Sequence, residues 1–272
     1  FISIFVNKPT LINNPPINIK AITIIIYISL ALITITLFMK FVSFGYHYLD
    51  LGNHHHLIIN FIRNNEYYFK VYNIHGFGDH FRPSFVPFIH VFYMIYATSF
   101  WLVFLKCASL SIFTIFFLKL NEKLSPLILL SFLLFSTHNI SAIYWEFDTT
   151  SLMPALVMII YYSITKSNWL VFWTAMIFSL GLKENAGVIW VCYSIYFIFI
   201  EKKIRFGSII AGIGLLYMVI VWNTVIPFFA QTPNNVASDI ILLRDIPLKM
   251  KYIFAAYAPF FFLPFLNWRW LL

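Results

Sequence analysis

Apolar residues in this chain come in long unbroken runs. The runs fall near 21–43, 99–118, 125–142, 150–165, 168–182, 185–200, 206–223 and 252–272. Strands of a membrane barrel alternate apolar and polar residues over about 10 positions; these runs do not alternate, so each is expected to be a helix. A helix needs about 20 apolar residues to cross a bilayer squarely, which leaves the shorter runs with soft boundaries. The run 84–97 is also apolar, but too short for a confident crossing, and is expected to lie at the interface or re-enter. The pattern thus predicts an all-α, polytopic transmembrane protein with eight spans at 21–43 through 252–272, forming one transmembrane domain over 1–272.

The chain starts at Phe1 and ends on Trp270-Leu271-Leu272 inside an apolar run, and is read as a fragment of a longer protein. The run 21–43 is too long for the apolar core of a signal peptide and has no small-residue cleavage site, so it counts as a span.

Composition sharpens this picture. Hydrophobic residues make up 61% of the chain and charged residues 10%, against about 25% charged in a soluble domain. Polar groups therefore cannot cover the surface, and membrane lipid must replace water over much of it. The net charge is +8. In a soluble protein that would point to nucleic acid. Here Lys and Arg sit at run ends, as in Lys119/Lys123 and Lys202/Lys203/Arg205, which reads as positive-inside anchoring with no nucleic acid partner. Cys107 and Cys192 lie within apolar runs and are read as packing residues.

Charge also orients the chain. Lys8, Lys20, the 119–123 loop, Lys166 and the 201–205 loop are placed in the cytoplasm, with the N-terminus, of a plasma (inner) membrane. Alternation then sends 44–83, 138–149, 183–184 and 224–251 outside, provided that 84–97 does not cross or merges with the next span. The large first extracytoplasmic loop, 44–83, contains an amphipathic stretch from Leu57 to Ile62. All eight histidines fall on or beside the outer side, together with Asp50, Asp79, Arg82, Glu146, Asp148, Lys183 and Glu184.

Several of these residues can carry chemistry, and each has a plainer reading. Asp50 follows the first span closely; it is either a base toward an acceptor hydroxyl or amine (or a ligand to a divalent metal ion), or the cap of the helix that follows. His54-His55-His56 suggests metal, but successive helical residues are about 100° apart, so three in a row cannot share a face. Interfacial polarity accounts for the triplet as well. His80 and Arg82 before Pro83 suit a phosphate, because guanidinium matches phosphate oxygens bidentately; they equally suit interfacial anchoring. Glu146 and Asp148 place two carboxylates in one short aromatic turn, Tyr144-Trp-Glu-Phe-Asp148. Lys183 and Glu184 sit between two runs with almost no loop. Ionisable groups near membrane depth are costly and usually functional, the alternative being a local ion pair at a turn.

Four segments in this order resemble the DUF2079 family of predicted membrane proteins, which is grouped with the GT-C glycosyltransferases. They are Tyr48-Leu-Asp50-Leu-Gly52, Asp79-His-Phe-Arg-Pro83, Tyr144-Trp-Glu-Phe-Asp148 and Leu182-Lys-Glu-Asn-Ala-Gly187, and the likeness covers residues 45–225. The family pattern runs D-L-G, H-F-S-P, F-H-P-E and K-E-D-A-G. Here Arg82 stands where Ser is usual, Phe147-Asp-Thr-Thr150 replaces F-H-P-E, and Asn185 replaces an acid. The resemblance implies a GT-C-like membrane enzyme that moves a sugar from a polyprenyl-phosphate donor to an acceptor at the outer leaflet. Asp50 matches the acidic residue that serves such enzymes as catalytic base or metal ligand. His80, Arg82, Glu146, Asp148, Lys183 and Glu184 become the substrate-binding candidates, and Asp50, His54 and His80 the candidates for a metal. A transporter and a non-catalytic membrane subunit are the competing classes. A transporter should show internal repeats and charges near the midplane, and neither is visible in the sequence.

Overall fold

In a computed structural model the described residues are 19–43, 45, 50–69, 74–120, 143–145 and 147–230. Of these, 83% are helical, as the unbroken apolar runs require. The helices are α1 (Ile19–Val42), α2 (Asp50–Asn64), a single turn α3 (Gly76–Asp79), α4 (Phe85–Ile95), α5 (Phe100–Leu120), α6 (Met153–Thr165), α7 (Trp169–Leu180), α8 (Gly187–Ile195), α9 (Ile204–Ile220) and α10 (Ile226–Ala230). Between α2 and α3 the chain makes a two-stranded antiparallel ribbon, β1 (Tyr68–Phe69) and β2 (Ile74–His75), pairing Tyr68 with His75 and Phe69 with Ile74.

Among the described residues, three helical stretches are long and apolar enough to cross a membrane: Lys20–Val42, Phe100–Lys119 and Ile204–Ala230. The first and second match expectation. The third extends beyond the expected 206–223, because a π-helical segment, Val221–Val225, carries α9 into α10. The expected spans at 150–165, 168–182 and 185–200 are apolar helices of 10–17 residues, below span length. Turns cut them short: Ser167 adopts φ 53° and Lys202 φ 57°, and Asn168 caps α7 by accepting from Val171 N–H at 3.2 Å. The expected spans at 125–142 and 252–272 lie outside the described residues. Helix α4 has 11 residues and so is about 16 Å long, too short to cross. Tyr96, extended at φ −157°, separates it from α5, so the two do not merge into one crossing.

Helix α1 shows what lipid does to a surface. Ile26, Leu30, Ile33 and Leu37 recur at helical spacing and are buried, in a cluster that includes Leu102 and Val103 of α5. The rest of the helix leaves Ile24, Ile28, Leu32, Ile35 and Met39 exposed, an apolar face of the kind that lipid covers. Helix α2 is different: Leu51, His54, Leu57 and Ile58 are buried while Arg63 and Asn64 are exposed, the one-sided burial of an amphipathic helix. Helices α8 and α9 meet backbone to backbone. A Cβ on Gly214 would lie 2.7 Å from the Gly187 carbonyl oxygen, and one on Gly187 would fall on the Gly214 carbonyl. Small residues permit such approach between membrane helices.

Candidate functional site

The segments expected on the outer side meet. Helix α2 supplies Asn53 and His54, the turn after α3 supplies His80 and Arg82, the segment before α6 supplies Asp148, and the α7–α8 turn supplies Lys183 and Glu184. Asn53, His54, Asp79, His80, Arg82 and Asp148, with Phe69 and Ile74 of the ribbon, line a cavity of about 340 Å³.

Arg82 anchors it. The side chain is buried, 4% exposed, at the start of the segment leading into α4. Its Nη1 donates to His54 Nδ1 at 3.1 Å and its Nη2 lies 3.8 Å from Asp79 Oδ2. Its Nε is buried with no hydrogen-bond partner among the described residues. Burial and the neighbouring guanidinium both hold the His54 imidazole well below its usual pKa. It is therefore neutral, and because Nδ1 accepts from Arg82, the ring proton sits on Nε2.

Lys183 and Glu184, adjacent in sequence, reach in different directions. Lys183 Nζ donates to Asp148 Oδ2 at 2.8 Å, and His80 Nδ1 donates to Glu184 Oε1 at 2.8 Å. Asp148 Oδ1 also accepts from Thr150 N–H at 2.8 Å and from the Thr150 hydroxyl at 2.6 Å, capping the short 3₁₀ helix Thr149–Leu152. Burial pushes the Asp148 carboxyl up, but the Lys183 charge and these hydrogen bonds outweigh it and leave the group well below the carboxylate range. Burial likewise raises Glu184, and the hydrogen bond and charge of His80 reverse the shift to a net lowering. Glu184 Oε2 is buried without a partner among the described residues. The Thr149 hydroxyl donates to Leu182 C=O at 2.8 Å and Ser84 N–H donates to Gly181 C=O at 2.8 Å, so backbone ties fix the segments as well.

The structure thus brings together five of the expected substrate-binding residues, His80, Arg82, Asp148, Lys183 and Glu184, with His54 beside them. Asp50 is the first residue of α2, one turn before Asn53 and His54, where negative charge is favoured by the helix dipole; its side chain is outside the described set. Glu146 also lies outside the described residues. Among the described residues no three His, Cys, Asp or Glu side chains group as metal ligands. His54 Nδ1 meets the Arg82 guanidinium and His80 Nδ1 the Glu184 carboxylate, and the side chain of Asp50, the third metal candidate, lies outside the described set. The histidine triplet diverges as helical geometry demands, with His54 on Arg82 and His55 Nδ1 3.0 Å from Tyr93 Oη.

Two lysines were not anticipated. Lys40 at the end of α1 donates to Tyr144 C=O at 2.9 Å, and Lys106, 7% exposed in α5, donates to Trp145 C=O at 2.8 Å. They hold the segment that carries Asp148. Lys106 had a signal in the sequence, a lone ionisable residue inside the apolar run 99–118.

Apolar helices of span length, an apolar exposed face and ionisable groups gathered where helix ends meet define an integral membrane protein. The chain belongs to the DUF2079 family of predicted membrane proteins, whose model matches residues 43–272, further toward the C-terminus than the motifs at 45–225. Comparison with curated proteins and with solved structures finds no match.

Proposed function

We propose that this protein is a membrane glycosyltransferase of GT-C type, moving a sugar from a polyprenyl-phosphate donor to an acceptor at the outer leaflet. The observation that carries the reading is Arg82: a buried guanidinium whose Nε lacks a partner among the described residues, in the wall of a cavity shared with His54, His80 and Asp148. A buried donor left unpaired is costly, and a phosphate oxygen satisfies it. Lys183 offsets the Asp148 carboxylate, and the Asp79 carboxylate, 3.8 Å from Arg82 Nη2, is the charge that a phosphate displaces there. A cavity of about 340 Å³ accommodates a sugar phosphate, with the lipid tail left to the membrane.

In this reading Asp50 takes the proton of the acceptor hydroxyl. The acceptor oxygen bonds to the anomeric carbon as the bond from that carbon to the phosphate oxygen breaks. The lipid phosphate leaves with the bonding pair, and Arg82 and Lys183 stabilise its charge. Asp148, held low by its partners, is a poor base and serves to orient Lys183.

The test is Asp50→Asn in the full-length protein, with transfer from a labelled polyprenyl-phosphate sugar measured in membranes. Transfer should fall at least about 100-fold, and Arg82→Gln should lose about as much. Transfer unaltered in Asp50→Asn overturns the base assignment. Uptake of a labelled solute into vesicles carrying the protein, without transfer, would favour a transporter instead.

A further inference from the structure

The β1–β2 ribbon is a partition with a different cavity on each face. Side chains alternate across a strand. Phe69 and Ile74, paired across the ribbon, line the charged cavity described above. Tyr68 and His75, the neighbouring pair, line a second and more open cavity of about 540 Å³ together with Asn65, Glu66 and Tyr67. Tyr67 joins the two: its ring walls the second cavity while its hydroxyl interacts with Arg82 of the first.

The linings differ in chemistry. The first holds a guanidinium, Arg82, with two histidines and two carboxylates, Asp79 and Asp148. The second holds no Lys or Arg and one carboxylate, Glu66, in a protein whose net charge is +8. That disfavours an anion there. Its walls are three aromatic rings, Tyr67, Tyr68 and His75, and ring faces suit the C–H face of a pyranose. Its polar groups are hydrogen-bonding groups. The Glu66 carboxylate makes no hydrogen bond to a described residue and can accept. His75 Nδ1 accepts from Phe77 N–H at 3.2 Å, which puts the ring proton on Nε2 as a donor. His75 is held in place by stacking on Phe229, with ring centroids 4.6 Å apart. Asn65, at φ 57°, ends α2 and turns the chain so that Glu66 follows at the rim.

We infer that this second cavity binds a neutral, hydroxyl-rich ligand of the carbohydrate class, separated from the charged cavity by the ribbon and Tyr67. The binding does not rest on the glycosyltransferase reading.

The experiment uses the whole chain in lipid nanodiscs. Saturation-transfer NMR is recorded with methyl glucoside, methyl mannoside and methyl galactoside, and with methyl glucuronide as the anionic counterpart. Binding of a polyprenyl phosphate is measured on the same samples. At least one neutral glycoside should give a signal at millimolar concentration, with the glucuronide weaker. Tyr68→Ala should lower glycoside affinity about tenfold and Glu66→Gln several-fold, while both retain polyprenyl-phosphate binding, which also reports that they fold. No glycoside signal in the unaltered protein overturns the inference, as does preferential glucuronide binding, or a signal undiminished in both variants. Glycoside binding without polyprenyl-phosphate binding would leave this pocket standing and remove the donor assignment of the first.

Discussion

At the scale of single residues, the site is a set of charges whose removal one at a time is worse than removal in pairs. Lys183 and Asp148 are 16% and 23% exposed, so neither is well solvated. Lys183→Met leaves the half-buried Asp148 carboxylate with Thr150 as its hydrogen-bond partner among the described residues, and should destabilise the protein by about 2 kcal/mol. Adding Asp148→Asn should recover a large part of that loss, because the uncompensated charge is gone. Thermal denaturation of the two single variants and the double variant in detergent reads the coupling; additive losses would show that the pair is not coupled. The same residues set a pH response. His54 is lowered in the fold, first by burial and then by Arg82. The stability it contributes in the neutral form is therefore complete above its unfolded pKa of about 6.5 and is lost as pH falls below that value. Asp148 is also lowered, so its contribution persists until about pH 4 and is lost below it. Melting temperature should decline in two steps on acidification, the upper one flattened by His54→Gln and the lower by Asp148→Asn. A single step common to all three proteins would contradict this account.

At the scale of elements, the fold places the site through ties between segments remote in sequence. Lys40 and Lys106, from two membrane helices, each donate to a carbonyl three or four residues before Asp148. Lys106→Met removes one tie and leaves the Trp145 carbonyl with one donor fewer, a loss of about 1–3 kcal/mol. Hydrogen exchange in residues 143–152 should speed up, with little change in α8 and α9. Lys106→Arg should restore protection, since it keeps a donor at similar reach; exchange equally fast in both variants would show that no specific tie exists. These contacts explain what the sequence did and did not reveal. The helices were legible because period and composition act locally along the chain. Lengths were less so: 150–165, 168–182 and 185–200 read as spans, yet Ser167, Asn168 and Lys202 turn the chain before span length is reached. The residues of the charged cavity were legible as types, an Arg beside a His and a Lys beside a Glu. Their pairing was not, because nothing local assigns Lys183 to Asp148 and Glu184 to His80 rather than to each other. The tethering lysines carry no local sign of their partners: Lys40 at a helix end reads first as an interfacial anchor, and Lys106 as a lone ionisable residue inside an apolar run.

At the scale of the whole molecule, side-chain and backbone contacts gather the helix ends that charge alternation assigns to one side. His54 on Arg82, His80 on Glu184, Asp148 on Lys183 and Gly78 against the Ala230 backbone draw on 44–83, 138–149, 183–184 and 224–251 in turn. Their convergence follows from the fold, whereas the side of the membrane they face is a separate, electrostatic question on which the Lys and Arg of the opposite loops bear. Glu201 and Lys203 at the turn before α9 belong to that opposite set, 3.2 Å apart. The glycosyltransferase reading needs the cavity outside. A single cysteine placed at Glu66, on the rim of the ribbon, should react with a membrane-impermeant maleimide in intact cells, while one at Lys202 should react only after the membrane is opened. The native thiols must first be replaced by serine, Cys192 in particular because it is exposed. The reverse labelling pattern would put the cavity on the cytoplasmic face, where a polyprenyl-phosphate donor of the outer leaflet cannot reach Arg82, and the proposed function would fall with it.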